Sequence, residues 1–230
     1  MGSTDANGRG VGRPIMALHP ANPKSEECRR VLGVDPASAG PTGYGIIESN
    51  GRVCRVLRYG ALEVGAKQRQ ISGGAVLREV HQLLCRLIEE FKPQAVAVES
   101  VFTALNMRTA LKLAEVRGVV LLAAEQHGVE VRSYSPREVK ACVAGYGHAD
   151  KRQMQLMVRA QLGMKELPEP SDAADALAVA LCYLEADRIE KRFGLELESE
   201  TARAQPRSRN RANGAGHATP VRGARIQPNR

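Results

Sequence analysis

Val31-Leu32-Gly33-Val34-Asp35, then Gly43-Tyr44-Gly45-Ile46-Ile47-Glu48 and the pair Asn50-Gly51, is the stretch that decides the fold class. The first run is short and apolar and ends in an acid, as a buried strand does when it reaches a sheet edge. Asn-Gly is a strong hairpin turn signal, so the second run should turn back on itself. Arg52 to Tyr59 alternates well enough for a third strand, with Ala61-Leu62-Glu63-Val64 as an extension. Three antiparallel strands are therefore expected. From residue 75 the period changes. Val76, Leu77, Val80, Leu83, Leu84, Leu87, Ile88 and Phe91 recur at three and four residues, which predicts an amphipathic helix over 75–91, stopped by Pro93. Gln94-Ala95-Val96-Ala97-Val98 reads as a buried strand with Glu99 at its end. A long helix is expected over 107–126, with Gly128 just beyond it, and a strand over Val129–Tyr134. Three helices follow: from Pro136 to about Ala144, from Asp150 to about Leu162, and from a Ser171 cap to about Ala186. Short apolar strands alternating with helices give an α/β class: a mixed five-stranded sheet flanked by helices.

Outward from this region the pattern fades. Residues 1–29 hold turn formers and scattered charge, and are expected to be a disordered extension. The ordered domain is placed at 30–187, and 188–230 reads as a basic, disordered tail. The net charge is +8, but residues 201–230 carry seven Arg and no acid, and residues 1–30 carry +2, which leaves the middle at −1. A basic tail suits a polyanion through phosphate contact and counterion release. It carries no chemistry of its own, and a solvated tail is the plain alternative. Hydrophobic residues make up 43% of the chain, enough for a core, and the near absence of aromatics means it is built from Leu, Val, Ile and Ala. The five cysteines (28, 54, 85, 142 and 182) are odd in number and lack C-x-x-C spacing, as expected of reduced thiols packing as small hydrophobes. Val119 to Ala124 is the longest apolar run and too short to span a bilayer. With no signal peptide in view, a soluble cytoplasmic protein is expected.

Three groups of acids stand where chemistry could use them. Asp35 and Glu99 end the first and fourth strands, and Asp172 and Asp175 lie three apart at the start of the last helix, on one face. Open α/β sheets gather sites at strand carboxyl ends. If the first and fourth strands are neighbours, Asp35 and Glu99 meet there, and a helix packed nearby adds the other two. Like charges so close raise one another's pKa, a cost that a divalent cation removes. Carboxylate oxygens suit Mg²⁺ or Mn²⁺ rather than catalytic zinc. Two ions about 3.5–4 Å apart could activate a water and stabilise a leaving oxygen of a phosphodiester. Each acid also has an ordinary reading: Asp before Pro as a turn residue, Glu after a strand as a surface residue, Asp at a helix start as a partner for the helix dipole.

The words around the acids are more specific. Leu32-Gly33-Val34-Asp35-Pro36-Ala37-Ser38 with Thr42-Gly43-Tyr44-Gly45 resembles the first-strand motif of the RuvC family of bacterial Holliday junction resolvases. Ala97-Val98-Glu99-Ser100-Val101-Phe102 is similar to its second acidic motif, and Asn106 with Ala110 to Val119 to the helix that follows. Val139-Lys140 with Gly147-His148-Ala149-Asp150-Lys151 resembles its basic segment, and Asp172-Ala173-Ala174-Asp175-Ala176-Leu177-Ala178 its last acidic motif. The resemblance runs in order from about Val31 to Ala186. It implies an RNase H-like fold and a homodimer that resolves four-way DNA junctions by paired, symmetric nicking, downstream of the RuvA–RuvB branch-migration complex. It implies that Asp35, Glu99, Asp172 and Asp175 are catalytic carboxylates holding two Mg²⁺ per active site, with Mn²⁺ as a substitute. It implies DNA contacts by Phe102, Arg108, Lys140 and Lys151, with Phe102 stacking on a base. By themselves, Phe102 could equally be a core or dimer-interface residue, and the lysines solvated charges.

The sequence departs from the family in the loop Pro36-Ala37-Ser38-Ala39-Gly40-Pro41, which lacks the usual Arg and is one residue longer. That bears on a local DNA contact, not on the acids. His148 stands in no acid's place and reads as a loop residue. Three other functions stay open on the residues alone. An actin-like ATPase or sugar kinase shares a similar phosphate loop but needs two such domains. A DNA-binding module that does not cut would have no need of all the acids. Another RNase H-like nuclease could act on an RNA–DNA hybrid.

Overall fold

The computed structural model describes residues 28–36, 41–62, 73–100 and 106–194. Its strands are β1 (Arg29–Asp35), β2 (Thr42–Ser49), β3 (Cys54–Leu62), β4 (Ala95–Glu99) and β5 (Glu130–Tyr134). Its helices are α1 (Gly73–Phe91), α2 (Met107–Gln126), α3 (Pro136–Ala144), α4 (Lys151–Gln161) and α5 (Ser171–Phe193). The five strands form one sheet in the order β3-β2-β1-β4-β5. β1 pairs antiparallel with β2, and β2 with β3, while β4 runs parallel to both β1 and β5. This is the mixed sheet expected from the hairpin signal followed by strand–helix alternation. The hairpin turn holds Gly51 at φ 84°, with the Asn50 carboxamide oxygen accepting from the amides of Arg52 and Val53.

The period of two along the strands sorts their side chains onto two cores. Leu32, Val34, Ile46, Val96 and Val98 point to one face, where α1 and α2 bury Val80, Leu84, Leu87, Val116 and Val120 over them. Val31, Ile47, Ala95 and Ala97 point to the other, beneath α3, α4 and above all α5, whose Leu177 and Tyr183 are fully buried. Each such Leu or Val contributes about 1.5–3 kcal/mol by leaving water. α1 ends at Lys92, which takes the left-handed φ of 48° before Pro93, and its amide still donates to the Ile88 carbonyl at 2.8 Å. Ser135 and Asp150 close reciprocal capping boxes with Glu138 and Gln153 at the starts of α3 and α4.

Two expectations about α5 change. Ser171 is not its cap. Pro170 occupies that position and offers no side-chain hydrogen bond, so Ser171 is already helical, and of the two acids only Asp172 lies in the first turn. The helix also runs to Phe193, past the expected end near Ala186, so the first residues assigned to the tail are helical. Ion pairs carry it there. Asp187 meets Arg29 at 3.0 Å and Lys191 at 2.9 Å, and Glu190 meets Arg132 at 2.5 Å. The Arg29 and Arg132 guanidinium groups both lie over the Tyr183 ring, at 5.3 and 5.2 Å from its centroid. Gly194, at φ 63°, closes the helix. No helix among the described residues is long and apolar enough to cross a membrane.

Candidate active site

The register places the two strand acids together. Gly33 lies opposite Ala97 and Val34 opposite Val98 in the parallel β1–β4 pair, so Asp35 and Glu99 are the next neighbours at the strands' carboxyl ends. Both continue the Val31 and Ala95 side of the sheet, the face covered by α5. Glycines bring that helix down. A Cβ on Gly33 would lie 2.0 Å from the Ala176 carbonyl oxygen, one on Gly43 2.0 Å from the Asp172 carbonyl oxygen, and one on Gly45 2.6 Å from a Leu177 methyl. α5 therefore crosses β1 and β2 in backbone contact, and its first two turns deliver Asp172 and Asp175 to the strand acids. Gly43 is also the register partner of Asp35. These glycines belong to the site as much as the acids do. Their signal in the sequence was glycine inside strands, which marks a close backbone approach.

The four carboxylates feel one another. The Asp35 carboxyl is pushed up from 3.8 to about 8, first by burial and then by the charges of Glu99, Asp175 and Asp172. Glu99 is also raised, by burial and by Asp175, against the opposing pull of a hydrogen bond from Asp35 and the charge of Lys140. The pair thus holds a proton between its two carboxyls above the ordinary carboxylate range. Asp175 is raised by burial and by Asp172, while Lys151 and Lys140 draw it back. The Lys151 ammonium stands 3.4 Å from Asp175 Oδ2. Lys140 comes from α3, half-buried beside the buried Val139. The Ser171 hydroxyl lies 3.5 Å from Asp172 Oδ2.

The structure thus brings together Asp35, Glu99, Asp172, Asp175, Lys140 and Lys151. Arg108 is exposed in the first turn of α2. Phe102 and residues 37–40 of the loop after Asp35 lie outside the described residues. His148 is exposed in the turn before α4, as expected of a loop residue.

Among the described residues no three Asp, Glu, His or Cys side chains are already closed around a single point as metal ligands. Asp35 and Glu99 turn toward each other instead. The donor set nevertheless fits a hard divalent cation. It is made of oxygens only, it is partly buried, and its like charges destabilise one another in a way that a cation between them would relieve. Nothing in it suits a softer metal.

Comparison with known proteins agrees with this geometry. The family model described as crossover junction endodeoxyribonuclease RuvC matches residues 31–183. The crossover junction endodeoxyribonuclease RuvC of Syntrophomonas wolfei is 44% identical over 160 residues, covering 70% of this chain and 91% of that one. Its counterpart in Chloroflexus aggregans is 45% identical over 166 residues, covering 72% and 99%. Among solved structures, T. thermophilus RuvC in complex with Holliday junction substrate superposes with a TM-score of 0.65 at 36% identity, covering 70% of this chain and 96% of that one. The expected RNase H-like fold is the fold shared with these structures. With matches of this extent, spanning the sheet, the first half of α5 and every acid of the site, the chain belongs to the RuvC family of crossover junction endodeoxyribonucleases.

Proposed function

We propose that this chain is a divalent-metal-dependent endonuclease that cuts four-way DNA junctions by paired, symmetric nicking. The observation that carries this reading is the convergence of Asp35, Glu99, Asp172 and Asp175 at the carboxyl ends of β1 and β4, where burial and like charge hold the Asp35 carboxyl up at a cost that a divalent cation would relieve. Asp35, Glu99, Asp172 and Asp175 would hold two Mg²⁺ ions, or Mn²⁺ in their place. When bound, such ions supply Lewis acidity toward water and the leaving oxygen of a phosphodiester. The chain's own side chains do the rest. Lys151 and Lys140 hold the carboxylates in place before DNA arrives, and offer their ammonium groups to the phosphate once it does. Phe102, in the segment after β4, is assigned to stacking on an unpaired base, and Arg108 at the start of α2 to the DNA backbone. The relatives' names support junction DNA as substrate, and hydrolysis at the 3′ oxygen would leave a 5′ phosphate and a ligatable nick.

Paired nicking needs two sites. α2 offers a surface for a second copy. Met107, Leu111, Ala114, Gly118 and Leu122 recur at three- and four-residue spacing, and all are exposed in the single chain. The two small residues at the centre allow close helix approach. In this reading α2 would carry the homodimer contact. In this reading the dimer acts after RuvA–RuvB branch migration.

The test is cleavage of an end-labelled synthetic four-way junction with Mg²⁺ or Mn²⁺, beside linear duplex and RNA–DNA hybrid. Symmetric nicks confined to the junction are expected. Cutting of the hybrid alone would move the function to another nuclease class, and a folded protein that cut nothing would overturn the enzymatic reading.

A further inference from the structure

The connection from α3 to α4 carries an aromatic ring that the nuclease reading leaves without a task. Among the described Phe and Tyr residues, Tyr146 and Phe193 are the exposed ones, Tyr146 at 46%. Phe193 lies at the end of α5 far from the carboxylates, with the Arg192 guanidinium over its ring. Tyr146 lies at the site. Its hydroxyl donates to Gln153 Oε1 at 2.5 Å, in the first turn of α4, and that turn begins with Lys151, whose ammonium stands 3.4 Å from Asp175 Oδ2.

The loop around the ring is held in place. The Gln153 oxygen that takes the Tyr146 hydroxyl also accepts the Asp150 amide at 2.9 Å, in the capping box of α4. Ala149 is buried, 1% exposed, and the Gln161 carboxamide donates to the Val143 carbonyl at 2.8 Å, tying α4 to the end of α3. Gly147 lies so near Arg137 that a Cβ there would fall 2.7 Å from its Cγ. Gly145, on the other side, takes the left-handed φ of 82°, and a Cβ built on it meets nothing within 4 Å. The chain therefore presents an aromatic ring at a fixed place, next to open space, where a tyrosine left to its own preference would bury the ring and wet only the hydroxyl. One turn of helix is about 5.4 Å long, and a DNA strand advances about 3.4 Å per nucleotide. A phosphate at the Asp175–Lys151 edge of the site thus has a neighbouring base within reach of the ring.

We propose that Tyr146 holds a nucleobase beside the scissile phosphate, its ring stacked on that base and its hydroxyl anchored on Gln153. The inference rests on the nuclease reading of the carboxylates. Every base has a π-face, so the contact fixes where the strand lies rather than which base is read. It engages a base that has left its stack, and so favours a distorted junction over linear duplex.

The experiment measures single-turnover cleavage of a synthetic four-way junction by the full chain in Mg²⁺, with an abasic residue placed in turn at each nucleotide flanking the cut. In wild type, one such position should lower the rate by about 5–100-fold, the worth of one base–aromatic stack. Tyr146→Leu should cut the intact junction more slowly by a similar factor, and the abasic residue at that position should then cost nothing further. Tyr146→Phe, which keeps the ring, should keep the abasic penalty, and so should Lys151→Ala, which cuts slowly for a different reason. A purely structural Tyr146 would slow intact and abasic junctions alike in Tyr146→Leu, leaving the penalty in place, and would overturn the proposal. A wild type indifferent to every abasic position would overturn it too. A wild type that cut no junction at all would overturn the nuclease reading, and this proposal with it.

Discussion

Asp35→Asn should make the metal-free protein more stable, and the gain should grow with pH. In the unfolded chain this carboxyl titrates near 3.8, and in the fold near 8. Between those values the folded state binds the extra proton, so stability falls as pH rises and the loss is complete above the folded value. The separation corresponds to roughly 6 kcal/mol between protonation states if none of it relaxes. The site is only partly closed to solvent, and water and side-chain movement will take up a share, so about 2–4 kcal/mol is expected. Asn has the same shape, carries no charge and can still donate toward Glu99. Urea unfolding in EDTA at pH 6 and pH 9 measures the effect. Wild type should lose stability from pH 6 to pH 9, and the variant should exceed wild type by more at pH 9 than at pH 6. Added Mg²⁺ or Mn²⁺ should restore wild type through binding to the native state, with little effect on the variant. Junction cleavage by the variant should vanish while junction binding persists. A variant less stable than wild type at both pH values would refute the reasoning, because it would make Asp35 a structural residue rather than a charge held at a cost.

Three other substitutions probe the parts around that acid. Lys151→Ala removes the ammonium 3.4 Å from Asp175 and should lower the rate of junction cleavage by about 10–100-fold, with the urea midpoint nearly unchanged. A midpoint shift that accounted for the whole loss of rate would count against a role at the site. Gly43→Ala puts a methyl 2.0 Å from the Asp172 carbonyl oxygen, and should cost about 1–3 kcal/mol in thermal or urea unfolding while abolishing cleavage, since α5 must lift and take Asp172 with it. Full activity in that variant would mean that α5 does not need its close approach. Leu111→Glu places a charge on a residue that is 58% exposed in the single chain, so the fold should stand while sedimentation shows a monomer. A dimer of unchanged affinity would move the interface off α2.

The sheet was legible in the sequence because its signals are local. An Asn-Gly turn, alternation in β3, and two short apolar runs each ending in an acid are read within a few residues of one another, and the strand that each ends is the strand observed. The candidate site was legible as a set of acids but not as a place. Nothing local says that β1 and β4 are parallel neighbours, or that α5 rather than α1 lies over the face on which Asp35 and Glu99 emerge. That depends on Gly33, Gly43 and Gly45, whose meaning is the absence of a side chain against a helix some 130 residues away in the chain. The far end of α5 was missed for a related reason. Its last turns are polar, and by composition they resemble a tail. Arg29, Arg132 and Tyr183 hold them, all partners distant in sequence.

The three sources of the acids suggest how binding and cutting are kept apart. Asp35 and Glu99 sit on strands locked into the sheet by backbone pairing, and Asp172 and Asp175 on a helix held by glycine contacts, so their backbones cannot separate and only side-chain rotation can relieve part of the charge. Lys140 and Lys151 offset part of that charge, but with one proton held by the Asp35–Glu99 pair two ammonium groups still face three carboxylates. Without a divalent cation, then, this patch should repel a phosphate rather than attract it. Junction affinity must come from elsewhere on the surface, and the scissile phosphate should enter the site only once cations have changed the sign of the patch. Metal should therefore alter junction affinity far less than it alters cleavage, and whatever affinity it does add should be lost together with cleavage in Asp35→Asn.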